Sequence, residues 1–354
     1  MEASWLSIVP PVLAIILVIS TKKVLLSLGA GVLSAAFIVA EYNPLETLRL
    51  TWSAFAQIFW SEGALNTTYV YILIFTLTLG MITALILMAG GSQAFSDWAI
   101  ERIKTRRGAQ LLGAVLGVVI FIDDYFNALA VGQVARPVTD RHKVARAKLA
   151  YLIDSTSAPV AVLAPFSSWG ASIIGIMAPL VAASALTVSE VQAFVTAASM
   201  NYYAIAAILT VFLVVGFQID FGPMRAEERR AVHEGHTFDS SLAIPGELAE
   251  DLPVHEPGAM RALIVPFVAL VVGVLGGIVY TGYTGADEPS WAPLDLMANT
   301  DVTLALIFGA VLGFGTALYY YFRYTTDNPK FGTSTLGRGL VEGIKSMLPA
   351  VYIL

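Results

Sequence analysis

A series of apolar runs, each close to the roughly 20 residues that a helix needs to cross a bilayer, leaves this chain few ways to fold. They extend from Trp5 to Ser20, Val24 to Ala40, Thr67 to Gly90, Ala193 to Ile219, Arg261 to Tyr280 and Val302 to Phe322. With 57% hydrophobic and only 13% charged residues, the chain sits well to the apolar side of soluble domains. The fold class expected is therefore an all-α, polytopic membrane protein. Cysteine is absent, which excludes disulfides, thiolate metal sites and cysteine nucleophiles. Ahead of its first apolar run the N-terminus carries Glu2 and no basic residue, so that run is read as a membrane helix, not a signal peptide.

Basic residues set the orientation. Lys22 and Lys23, then Arg102 to Arg107, then Arg225, Arg229 and Arg230 belong on the cytoplasmic side, while Glu41, Glu46, Glu62, Asp287, Glu288 and Asp295 fall in the opposite loops. An N-terminus outside the cell membrane satisfies all of these together. Between Ser92 and Arg107, Phe95, Trp98 and Ile103 recur at helical spacing, which suits either a helix on the cytoplasmic membrane surface or a short solvated connector.

Two segments resist simple counting. Residues 108–135 have basic clusters at both ends, which requires an even number of crossings, yet about 28 residues cannot supply two full spans. A re-entrant hairpin with its tip near Asp123 is expected, its backbone shielded by protein or water. Residues 149–186 pose the opposite problem, being too long for one straight helix. Asp154-Ser-Thr-Ser-Ala-Pro159 and Ala164-Pro-Phe-Ser-Ser-Trp-Gly170 interrupt them with helix breakers and hydroxyls, so they read as one crossing by a broken helix. Residues 193–219 then form the last span of a first repeat, 1–219, and 220–260 a solvated cytoplasmic linker. Residues 261–354 restart from the cytoplasm in the opposite sense, as in inverted-repeat transporters, but without a second hairpin and broken helix, so this repeat is expected to be incomplete.

Carboxylates carry the chemistry. Each costs about 2.5 to 3.5 kcal/mol at the centre of a membrane helix, so Asp123, Asp124 and Asp154 need a reason to be there. Adjacent Asp123 and Asp124 cannot both ionise cheaply unless a cation lies between them, which outlines a site where protons and a cation compete. Asn127, Ser155 and Thr156, with Ser157, Ser167 and Ser168 as secondary candidates, add neutral oxygens suited to a hard monovalent cation such as Na⁺. Plainer roles stand beside these: Asp123, Asp124 or Asp154 can cap a helix, and Ser167 and Ser168 can bond the backbone at a helix break. Gly113 with Gly117, Gly273 with Gly277 and Gly309 with Gly313 are read as packing faces. Arg136 is read as a headgroup anchor, and Glu342 with Lys345 as an interfacial ion pair.

The run FIDDYFNALAVGQVARPVTDRHKVARAKLAYLIDSTSAPVAVLAPFSSWGA, from Phe121 to Ala171, resembles the signature region of NhaC-type sodium/proton antiporters of the ion-transporter superfamily. The final GIKSMLPAVYIL is similar to a stretch that opens a later helix there, and members usually continue beyond that point. The resemblance implies exchange of Na⁺ for H⁺, with Asp123, Asp124, Asn127, Asp154, Ser155 and Thr156 at the matching positions. No cofactor is implied; the partners are the transported ions and membrane lipid, with no nucleic acid, and a homo-oligomer is compatible. The alternative cargo is a small carboxylate or amino acid, since some members resemble malate/lactate exchangers. An intramembrane aspartyl protease is disfavoured, because the glycine expected after Asp154-Ser-Thr is missing.

Overall fold

The computed structural model describes residues 5–21, 23–61, 63–184, 187–238, 252–286, 289–292, 295–296 and 299–353. Expectations for Glu2, Lys22, Glu62, Asp287, Glu288 and residues 239–251 of the linker fall outside these. The described residues are overwhelmingly helical, and the protein is an all-α polytopic membrane protein. The chain divides into two compact units, residues 1–70 with 352–354, and residues 71–351.

In the first unit a short 3₁₀ turn, Trp5–Ile8, leads into α1 (Val9–Thr21), which packs on α2 (Val24–Val39). Gly31 makes the close approach possible: a Cβ there would lie 3.1 Å from that of Ala14. Both helices are shorter than the roughly 20 residues of a full span. The amphipathic helix α3 (Pro44–Phe59) follows, a helix that apolar run length alone does not reveal. Asn43 starts it by accepting from the N–H of Leu45 and Glu46, with Pro44 at the first helical position. Strand β1 (Trp60–Ser61) turns back onto β2 (Ala64–Leu65), with Trp60 opposite Leu65.

The second unit contains the remaining helices: α4 (Thr67–Met88, from Tyr71 onward), α5 (Gly91–Arg102), α6 (Arg106–Val119), α7 (Asp124–Arg141), α8 (Arg146–Leu163), α9 (Ser168–Ala182), α10 (Glu190–Ser199), α11 (Tyr202–Phe217), α12 (Gly222–Glu234), α13 (Arg261–Thr284), α14 (Val302–Thr325) and α15 (Thr333–Ile353, to Val351). Among the described residues α4, α13 and α14 are each long and apolar enough to cross a membrane. Two further bent pairs reach that length together, α8 with α9 at 40° and α10 with α11 at 51°. Helices α13 and α14 meet backbone to backbone, since a Cβ on Gly273 would sit 2.8 Å from the Gly309 Cα.

Residues 193–219 are not one straight helix. The chain breaks at Met200 and Asn201, whose Oδ1 accepts from the Ala204 N–H and starts α11 afresh. A capping side chain offers the backbone an alternative to the continuous ladder, which a hydrophobicity count does not register. The polar stretch read as solvated also differs. Its residues 222–234 form α12, which packs on α8 and buries Glu228. That carboxylate accepts from the Ala145 N–H at 2.7 Å and pairs with Arg106, so a buried charge is compensated on both sides.

Candidate functional site

Helices α6 and α7 run antiparallel, because Ala109 near the start of α6 packs with Val138 near the end of α7. Their connection, residues 120–123, forms the tip of this hairpin. Breaking a helix there leaves α6 with orphan carbonyls and α7 with orphan N–H groups, which must be satisfied if buried. Two side chains do so. Asn127, fully buried, reaches back so that its Nδ2 donates to the Gly117 and Ile120 carbonyls, each at 2.6 Å. Asp123, 1% exposed, caps α7 by accepting the Phe126 N–H at 2.8 Å.

The break between α8 and α9 is sealed in the same way. Ser167 donates to the Ala161 carbonyl at 2.6 Å and accepts the Gly170 N–H at 2.8 Å, joining the end of one helix to the start of the next. Gly170 must lack a side chain, because a Cβ would run into the Ala164 and Pro165 carbonyls.

The two interruptions meet. The Ser168 hydroxyl donates to the second oxygen of Asp123 at 2.6 Å, and its N–H donates to the Ile122 carbonyl at 2.9 Å. The neighbouring Trp169 donates its indole N–H to Asp124 Oδ1 at 2.8 Å. Two successive residues of the second break thus hold two successive aspartates of the first. Asp124 occupies the first helical position of α7, where the helix dipole favours negative charge.

This geometry separates the sequence candidates. Asp124, Asp154 and Ser157 line one pocket of about 430 Å³, together with Tyr125, Ala128, Ala150, Ile153 and Ala158. Asp123 does not line it, because both its oxygens are turned to Phe126 and Ser168, and among the described residues no three acidic or histidine side chains converge as metal ligands. Of the three aspartates, Asp124 and Asp154 thus share a pocket, while Asp123 serves as the cap of α7. Thr156 is bonded back to the Leu152 and Ile153 carbonyls and faces Gly117 across the α6–α8 contact. Ser155 lies outside the pocket lining, and Asn127, Ser167 and Ser168 seal the breaks. Trp169 escapes a sequence search confined to oxygen ligands; its signal is an indole donor placed immediately after the helix-breaking serines.

Helices interrupted inside an apolar bundle, with Asp123 and Asp124 at one interruption, belong to a polytopic membrane protein and are an arrangement common among secondary transporters. The chain belongs to the Na⁺/H⁺ antiporter family, whose sequence profile matches residues 160–354, more than half its length. Ser167, Ser168 and Trp169 fall within the match, while Asp123, Asp124, Asn127 and Asp154 precede it. An uncharacterized protein of Haemophilus influenzae is 39% identical over 356 residues; the alignment covers 100% of this chain, which spans 66% of that relative's length. No solved structure matches.

Proposed function

We propose that the protein exchanges Na⁺ for H⁺ across the cell membrane by alternating access, with Asp124 and Asp154 as the competing site for both ions. Family membership and the Phe121–Ala171 resemblance support the cargo. The observation that carries the residue assignment is that two carboxylates, from the hairpin and from the broken helix, face one pocket whose lining contains no lysine or arginine. Like charges sharing one pocket disfavour each other's ionised form unless a cation or protons lie between them, so Na⁺ entering displaces protons and the reverse. Ser157 supplies a neutral oxygen beside the pair. Asp123, Asn127 and Ser167 hold the two breaks in register. The hairpin is then re-entrant from the cytoplasm, the N-terminus lies outside, and the role is transport and not enzymatic. The same lining disfavours a small carboxylate as cargo, because an anion would meet two carboxylates and no cationic side chain.

In everted vesicles carrying the full-length protein, Na⁺-dependent dissipation of a pH gradient is expected to vanish in Asp124→Asn and in Asp154→Asn. Undiminished exchange in both variants overturns the assignment.

A further inference from the structure

We propose that Trp169 is a positioning residue for the transported cation: its indole N–H fixes the Asp124 carboxylate toward the pocket and ties occupancy of that pocket to the α8–α9 break. This inference rests on the pair Asp124 and Asp154 being the ion site.

Three observations combine. The hydrogen bond runs from Trp169 Nε1 to Asp124 Oδ1 at 2.8 Å and joins residues 45 apart in the chain. The donor sits in the first turn of α9, beyond the 40° bend, whereas the other pocket carboxylate, Asp154, lies on α8 before it. The adjacent Ser168 is already committed to Asp123 and to the Ile122 carbonyl, so the start of α9 is pinned to the hairpin tip at consecutive residues.

The chemistry of the donor matters. Indole offers one N–H, accepts nothing and carries no charge. It therefore strengthens a carboxylate's hold on one orientation without cancelling the negative charge that a cation requires. Lysine or arginine in the same place would neutralise Asp124 and compete with the cargo. With the indole engaging Oδ1, Oδ2 is the oxygen that can turn to a cation shared with Asp154. A cation bridging the two carboxylates draws α7 toward α8, and the indole, attached to α7 through Asp124, carries that displacement to α9. Trp169 is thereby the residue through which filling the pocket reaches the far side of the break.

The test uses the full-length protein in proteoliposomes. Hydrogen bonds to charged groups are worth enough that losing this one in Trp169→Phe should raise the Na⁺ concentration for half-maximal exchange about tenfold, with the maximal rate largely kept. Trp169→His, which retains a ring N–H, should recover part of that loss. In a variant with Trp169 as its only tryptophan, Na⁺ should change the indole emission, and Asp154→Asn should abolish the change. That measurement keeps Trp169 intact, so it decides the matter even if Trp169→Phe fails to fold. Unchanged half-maximal Na⁺ in folded Trp169→Phe, or an emission that ignores Na⁺ while exchange proceeds, overturns the inference. If exchange instead survives in both Asp124→Asn and Asp154→Asn, the ion site itself falls, and the two failures are distinguished.

Discussion

Replacing Asp123 tests the division between a capping carboxylate and the proposed ion-binding pair. Both its oxygens are used inside the protein, one by the Phe126 N–H at 2.8 Å and one by the Ser168 hydroxyl at 2.6 Å. Asp123→Ala removes the cap of α7, worth about 1 kcal/mol. It also strands a fully buried hydroxyl, at about 1 to 3 kcal/mol. The expected loss is roughly 2 to 4 kcal/mol. Asparagine is a different matter. It caps as well as aspartate, its Oδ1 can accept from Phe126, and its Nδ2 can donate to Ser168, whose hydroxyl accepts as readily as it donates. Asp123→Asn should therefore fold nearly as well as the parent and retain exchange, in contrast to Asp124→Asn. Thermal unfolding in detergent, followed by fluorescence-detected size exclusion, reads the stability, and everted vesicles read the exchange. A stable Asp123→Asn that transports no Na⁺ would falsify the capping role and return Asp123 to the ion site.

Asn127→Ala should lower stability by about 2 to 4 kcal/mol, because it leaves the Gly117 and Ile120 carbonyls without their donor in a buried hairpin; an unshifted unfolding midpoint would contradict this. Glu228→Gln, which keeps an acceptor for the Ala145 N–H, should cost about 3 kcal/mol by leaving Arg106 without its partner, while the double change Arg106→Met with Glu228→Gln should recover most of the loss. If the double variant is as unstable as the single one in the same unfolding assay, the pair is not what holds α12 to the hairpin base.

Much of this architecture was legible from run length, because bilayer thickness imposes a strong constraint on α4, α13 and α14. The hairpin was legible for a different reason: basic residues at both ends of residues 108–135 left no other parity. What escaped detection depends on single side chains. Asn201 divides one apolar run into α10 and α11, and Glu228 draws a polar helix onto α8. At the site, composition identifies three aspartates but not their directions. Asp123 and Asp124 are neighbours in sequence, yet the first is a cap, turned to its own helix and to Ser168, while the second lines the pocket. Only the backbone geometry at the start of α7 makes that distinction.

The placement of cations sharpens the reading of the pair. Lys148, 1% exposed, lies on the same helix as Asp154, six residues earlier and thus about 9 Å along the axis. It is paired with Asp220 and bonded to the Ile219 carbonyl, just as Arg106 is paired with Glu228. The carboxylates that restrain these cations come from the chain following α11 and from α12, while the donors reaching the site, Ser168 and Trp169, are neutral. The protein thus holds nearby positive charge at the base of the hairpin and admits none to the pocket lining. Asp124 and Asp154 have no cationic side chain beside them in the pocket lining, in keeping with the proposed exchange of a cation for protons.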